Sequence, residues 1–170
     1  EPLEEFAFQE VLKRLPEDAS MIELGAYWAH YSMWLKKMKP RAQVILVEPE
    51  AEYLNAGQAN FERNGFRGEF IKAFVGTGKF EVDDFFRNRK IKSLDILHTD
   101  IQGYETEMLL GARDVLARRR VRYLFISTHS QAIHTGAVSA LQHAGYRVEV
   151  SSDFDHQTTS YDGFVFASSP

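Results

Sequence analysis

The chain has 170 residues, a formal charge of −4 and ordinary apolar and charged fractions, the size and composition of one globular domain able to bury a core. The charge argues against nucleic acid as the main partner, and no apolar run approaches the roughly 20 residues of a membrane helix. The absence of cysteine excludes disulfides, thiolate nucleophiles and cysteine-bound metals. A cytoplasmic protein with a single domain over 1–170 is expected. The sequence shows no signal-peptide pattern, and it opens at Glu1 without a methionine, so a further N-terminal segment is expected as well.

Residues 3–15 carry apolar side chains at 3, 7, 11 and 15, with Phe8 and Leu12 alongside, and Pro16 stops the run. That spacing predicts an amphipathic helix within 1–16, packed on a sheet. Ser20 to Leu24 is short and mostly apolar, a strand that breaks at Gly25. Tyr31, Trp34, Leu35 and Met38 then restore a helical period. A strand, a glycine turn and a helix make a nucleotide-cradling element, because glycine lets a ligand approach the backbone and a helix start offers unpaired N–H groups. Glu23 beside the turn suits a cationic or hydroxyl-bearing ligand better than a bare phosphate. The competing reading is a tight connection of the kind any α/β domain contains.

Residues 43–47 form an apolar, partly β-branched run, a buried strand. Glu48 at its tip stands roughly 20 residues beyond the glycine turn, where a doubly wound nucleotide fold places a ribose-binding carboxylate. It reads equally as an acid favoured at a helix start. A helix over 51–64 closes at Gly65, a strand follows over 69–74, and residues 75–78 form a loop without the spacing of a phosphate loop. Residues 82–89 make a short helix. The fourth strand opens at Leu94 and runs into His98, Thr99 and Asp100. Apolar positions 104, 108, 112, 115 and 116 predict one continuous helix, with Glu105 and Glu107 in its first turn. Arg118, Arg119, Arg120 and Arg122 sit at its end, a placement the helix dipole accounts for without a binding patch. Residues 123–127 are the fifth strand, entering Thr128, His129 and Ser130. Ile133, Ala137, Leu141 and Ala144 mark a further helix ended by Gly145. Strands over 146–151 and 163–167 are separated by a polar loop, 153–162. Five strand–helix repeats followed by two strands predict a doubly wound α/β sheet with helices on both faces and a ligand at the carboxyl ends of the strands.

Four motifs resemble the FkbM-like S-adenosylmethionine-dependent methyltransferases. They are Glu23-Leu-Gly25-Ala26, Val47-Glu48-Pro49, Val82-Asp83-Asp84, and the run from Leu97 through Asp100, Gly103, Glu105 and Glu107 to Gly111-Ala112. The resemblance spans residues 20–130. It implies the Rossmann-like class I methyltransferase sheet of seven strands with the last one antiparallel, and S-adenosylmethionine as cofactor. It places Glu23, Gly25, Ala26 and Tyr27 in the first cofactor motif, Glu48 on the ribose hydroxyls, Val75 beside the adenine, and Asp100 near the cofactor. Two departures stand out: Tyr27 and Ala29 make the first motif bulkier than the family pattern, and Gln102 replaces a glutamate.

Methyl transfer from a sulfonium is governed by geometry, and a base is needed only where the acceptor is a hydroxyl. The strand tips offer Asp100 and His129 as catalytic candidates, with His129 as a general base of near-neutral pKa. Asp100, Gln102, His129 and His134 are also a candidate ligand set for Mg, Mn or Fe. The bland alternative makes His129 and His134 polar loop residues. His98, inside the strand run, is expected as a hydrogen-bonded core histidine, and Tyr27 and Trp28 as core aromatics, with the wall of an acceptor pocket as their alternative place. The expected function is transfer of a methyl group to a small-molecule acceptor, a hydroxyl of a sugar or natural product, with no nucleic-acid or membrane partner. Two alternatives stay open: a noncatalytic ligand-binding domain, and an NAD-dependent oxidoreductase, for which only Gly25 of the three fingerprint glycines is present.

Overall fold

The computed structural model describes residues 2–156 and 161–170. Its strands are β1 (Ser20–Leu24), β2 (Gln43–Val47), β3 (Glu69–Ile71), β4 (Leu94–Thr99), β5 (Val121–Thr128), β6 (Arg147–Ser152) and β7 (Gly163–Ser168). The helices are α1 (Pro2–Leu12), α2 (His30–Met38), α3 (Ala51–Arg63), α4 (Val82–Arg89), α5 (Glu105–Leu110), α6 (Arg113–Ala117) and α7 (Gln131–His143). The strands form one seven-stranded sheet in the order β3-β2-β1-β4-β5-β7-β6. Pairing is parallel from β3 to β5, and β7 runs antiparallel to both β5 and β6. This is the doubly wound α/β sheet that the strand–helix alternation predicts, with the antiparallel last strand that the family resemblance implies.

Both faces of the sheet are covered. On one, Ile22, Leu24, Leu97 and Leu124 pack with Phe86 of α4, Met108 of α5, Val115 of α6 and Leu141 of α7. On the other, Met21, Leu46, Ile96 and Phe125 meet Phe8 of α1, Leu35 of α2 and Phe61 of α3. Alternate residues of one strand thus enter opposite clusters, so the central strands read as unbroken apolar runs. Because β1 pairs with both β2 and β4, the chain reverses direction of travel across the sheet there. A crevice opens at the carboxyl ends of those strands.

Helix α1 docks through Phe8, whose ring lies edge-on to Tyr31 at 4.9 Å and to Phe125 at 5.4 Å. The same helix carries a buried acid, Glu4, whose Oε1 lies 2.9 Å from Nε2 of the buried His98. His98 is therefore the hydrogen-bonded core histidine expected from the sequence. Burial disfavours its charge, but the carboxylates of Glu4, Glu23 and Asp100 outweigh that effect and raise its pKa.

The structure corrects several boundaries. Strand β3 stops at Ile71, short of residue 74, because it is an edge strand paired only with β2. The helix expected to be continuous from Tyr104 is two, α5 and α6, broken at Gly111 and Ala112. The cause lies outside the segment: the Asp83 carboxylate accepts hydrogen bonds from Asp114 N at 2.9 Å and Val115 N at 2.8 Å, starting α6 as a separate helix. Gly111 permits the tight junction, since a Cβ there would stand 3.1 Å from Glu81. Asp83 and Gly111 thus hold α4 against α6 and take no part in the crevice. Of the arginines after α6, Arg120 donates to the carbonyls of Ile91 and Lys92. Of the expected polar loop 153–162, residues 157–160 lie outside the described residues. Among the described residues no helix is long and apolar enough to cross a membrane.

Replacing one partner of a buried pair leaves the other uncompensated, which typically costs about 3–5 kcal/mol. Glu4→Ala is expected to lose that much in urea unfolding at pH 6. Because His98 has a raised folded pKa, its contribution is fully present below the unfolded imidazole value of about 6.5 and is lost as pH rises through the folded value. The gap between wild type and Glu4→Ala should therefore narrow in alkaline buffer.

Candidate functional site

The crevice at the switch point holds a cavity of about 510 Å³, within the usual range for a small-molecule site. Gly25, Tyr27, Glu48, Pro49, Glu50, Tyr53, Phe74, Val75, Asp100, Ile101, Gln102 and Tyr104 line it. Its floor is made where β1 and β4 end side by side: Asp100 N donates to Leu24 O at 3.0 Å. Gly25 takes φ +75, and a Cβ there would fall 1.8 Å from the Asp100 carbonyl oxygen. No other residue fits. The Gly25 and Ala26 N–H groups both donate to Val47 O, at 2.9 and 3.1 Å, so the turn is tied to the end of β2.

The helix start behind this turn is not free to meet a ligand. Glu23 is buried, and its Oε2 accepts from Ser32 N at 3.1 Å in the first turn of α2. The carboxylate caps the helix and offsets its dipole, although burial raises its pKa. Helix α2 also begins only at His30, after a loop in which Tyr27 and Ala29 take positive φ of 47° and 73°. Glu23 and Ala26 are therefore absent from the cavity wall. Gly25, Tyr27, Glu48, Val75, Asp100 and Gln102 of the sequence-derived set do share it.

Glu48 is the best-anchored acid. Its Oε2 accepts from Tyr27 N at 2.9 Å and its Oε1 from Glu50 N at 3.0 Å, which leaves further lone pairs on both oxygens for a ligand. Pinning Tyr27 N sustains the unfavourable positive φ of an aromatic residue and throws the ring outward. The expectation of core positions for Tyr27 and Trp28 is thus overturned: they are 47% and 56% exposed. Tyr27 meets Tyr53 edge-on with centroids 4.3 Å apart, and across the cavity Phe74 meets Tyr104 at 4.5 Å. Glu50, Tyr53, Phe74 and Tyr104 were not singled out from the sequence. Glu50 and Tyr53 follow Glu48 closely enough that the strand tip could have indicated them.

Beyond Asp100, the second histidine region separates into two environments. His129, just past β5, has Nδ1 2.9 Å from Glu105 Oε1, and its Nε2 forms ion-pair contacts of 3.4 Å with Asp100 Oδ1 and 3.8 Å with Asp162 Oδ2. Asp100 and Glu105 push its pKa up to about 10 against the opposing effect of burial. The raised pKa favours the imidazolium, a form that does not accept a proton, over the near-neutral base expected from the sequence. Burial of Asp100 opposes its charge, but His129, His98 and Gln102 prevail and hold its pKa below the ordinary value. Gln102 contributes through Nε2, which donates to Asp100 Oδ1 at 2.9 Å.

His134 points elsewhere. Its Nδ1 is 3.0 Å from Thr128 Oγ1 and its Nε2 2.8 Å from Ser151 Oγ, and burial lowers its pKa. Both nitrogens are engaged, and the group proposed with Asp100, Gln102 and His129 does not form. Among the described residues no group of three or more His, Asp or Glu side chains could hold a metal ion. The residues present do not fit Mg, Mn or Fe.

Residues 71–148 match the model of the Methyltransferase FkbM domain, the family that the motifs resemble; the glycine turn and Glu48 lie before the matched segment. No curated protein matches the sequence. Among solved structures, precorrin-6y C5,15-methyltransferase of Geobacter metallireducens is similar with a TM-score of 0.67 at 18% identity, over 96% of this chain and 86% of that one. TrmK of M. capricolum, in complex with the cofactor product S-adenosyl-homocysteine, has a TM-score of 0.66 at 15% identity, over 96% and 67%. The ribosomal protein L11 methylase of Lactobacillus delbrueckii subsp. bulgaricus gives 0.61 at 12%, over 96% and 77%. Likeness at these identities establishes the fold, the Rossmann-like class I methyltransferase sheet. With the domain match it supports an S-adenosylmethionine-dependent methyltransferase.

Gly25→Ala is expected to break the junction of β1 and β4. Its Cβ has no space and its φ is disfavoured, so the variant should lose several degrees in thermal melting and the ligand affinity of the cavity together.

Proposed function

We propose that this chain is a single-domain S-adenosylmethionine-dependent methyltransferase that methylates a hydroxyl of a small molecule, a sugar or natural product. The observation supporting this best is the charge of the cavity: Glu48, Glu50 and Asp100 line it, and no lysine or arginine does. Unit charges about 4 Å apart near a protein surface interact by about 4 kcal/mol, so such a wall favours a cationic ligand over a pyrophosphate. The α2 start, capped by Glu23, offers no compensating anion site. Both facts weigh against the NAD-dependent alternative.

S-adenosylmethionine bound here supplies a methyl group on a positively charged sulfur. Glu48 accepts the two ribose hydroxyls, its position fixed by the Tyr27 and Glu50 amides. Gly25 lies in the cavity wall at the turn, while Val75 and Phe74 would give the adenine an apolar wall. Asp100 would take the proton of the acceptor hydroxyl. A carboxylate of low pKa suffices, because an oxygen gaining a third bond is far more acidic than a free hydroxyl. The exposed rings of Tyr27, Trp28 and Tyr104 suit an acceptor with an apolar face. The acidic wall disfavours a phosphate-rich one such as RNA.

Calorimetric titration with S-adenosylmethionine and, in parallel, NAD tests the assignment. Saturable binding of the first alone is expected, and binding of NAD alone would overturn it. Binding of neither would favour the noncatalytic ligand-binding alternative. Glu48→Ala, which removes charged hydrogen bonds worth about 1.5–3 kcal/mol, should weaken S-adenosylmethionine roughly 10- to 150-fold.

A further inference from the structure

Glu105 is fully buried in the first turn of α5, outside the wall of the switch-point cavity, yet it carries a carboxylate. Its Oε1 accepts from Gly103 N at 3.2 Å and contacts His129 Nδ1 at 2.9 Å, while Oε2 is buried with no hydrogen-bond partner. A glutamine would make the same two hydrogen bonds through its amide oxygen. What the carboxylate adds is charge, and a buried charge needs a counter-charge. Among the described residues, His129 is the basic group in contact with it.

On its far side His129 Nε2 lies 3.4 Å from Asp100 Oδ1, an ion-pair contact without hydrogen-bond geometry, and the same oxygen receives the Gln102 amide. Both protein contacts of Asp100 thus fall on one oxygen, and Oδ2 is left without a partner among the described residues. The groups facing His129 are Glu105 from α5, Asp100 from the end of β4 and Asp162 from the segment before β7; His98 stands behind Asp100 on β4. We propose that Glu105 is a positioning residue that keeps His129 as a cationic clamp and so aims the ionised Asp100 at the acceptor. This rests on the reading of Asp100 as the proton acceptor. It assigns Glu105 a role by way of His129, with no contact to either substrate.

The chemistry balances without another reagent. The acceptor oxygen bonds to the methyl carbon, the carbon–sulfur bond electrons go to sulfur, and the hydroxyl proton passes to Asp100 Oδ2. His129 keeps both its protons throughout. Its raised pKa agrees with that role, and the sign follows: the clamp is present at neutral pH and is lost as pH rises through about 10.

The test is nitrogen-detected NMR titration of His129 in wild type and in Glu105→Gln, together with calorimetry of S-adenosylmethionine. Wild-type His129 is expected to hold two protons through neutrality, and in Glu105→Gln its titration should fall by about one pH unit or more. Cofactor affinity should stay within about twofold, while the His129 titration recovers in Glu105→Asp. A merely structural role would lower the melting temperature without moving the His129 titration. Wild-type His129 titrating near 6.5, or unmoved in Glu105→Gln, would overturn the proposal even if the cofactor binds. Failure of the cofactor to bind would instead overturn the methyltransferase reading, leaving the titration to decide the clamp. Should Glu105→Gln not fold, the wild-type titration decides alone.

Discussion

The contact on which the site depends is the approach of two backbones at the carboxyl ends of β1 and β4. With Asp100 N bonded to Leu24 O and the Asp100 carbonyl lying where a Cβ of residue 25 would be, the position accepts glycine alone. Everything around the cavity follows from that junction. It sets the height of the floor, directs Asp100 over it, and forces the chain into the loop of positive φ that turns Tyr27 outward. The tie from Gly25 and Ala26 to Val47 O then fixes the tip of β2, and with it Glu48, relative to the same floor.

Charge is distributed across this end of the sheet with a clear asymmetry. Carboxylates line the cavity, and the two histidines that balance them, His98 and His129, stand outside its wall. His98 is held from below by Glu4 of α1, and His129 from the side by Glu105 of α5. Asp100 lies between them and stays ionised despite its burial. The helices on the two faces of the sheet thereby act on one side chain, so packing far from the cavity reaches the chemistry through short electrostatic contacts.

Much of this was legible in the sequence. Period changes located every strand and all the helices except the separate α6, because the sheet is buried on both faces and its strands are continuous apolar runs. Glycine followed by an acid at the next strand tip located the cavity. What escaped depends on contacts distant in sequence. The break between α5 and α6 is imposed by Asp83, 31 residues before Asp114, while the apolar spacing of the segment itself continues through the break. Glu105 read as an ordinary first-turn acid because its partner, His129, lies 24 residues on. The titration of His129 could not be foreseen either, since residue type gives only the ordinary imidazole value, while Asp100 and Glu105 from separate elements raise it. Residue type likewise suggested a metal set, and orientation dissolved it: Thr128 and Ser151 hold His134 away from the cavity.

The strand order bears on how the chain can assemble during synthesis. Strand β7 enters between β5 and β6, pairing with both over most of its length. Until residues 163–168 have left the ribosome, β6 has no place in the sheet and the flank of β5 stays open. The growing chain therefore completes its sheet by inserting a strand into the interior, where vectorial growth would add one at an edge. The central β2-β1-β4-β5 unit can form earlier. A fragment ending before β7 would expose the apolar edge of β5, an invitation to pair with another nascent chain.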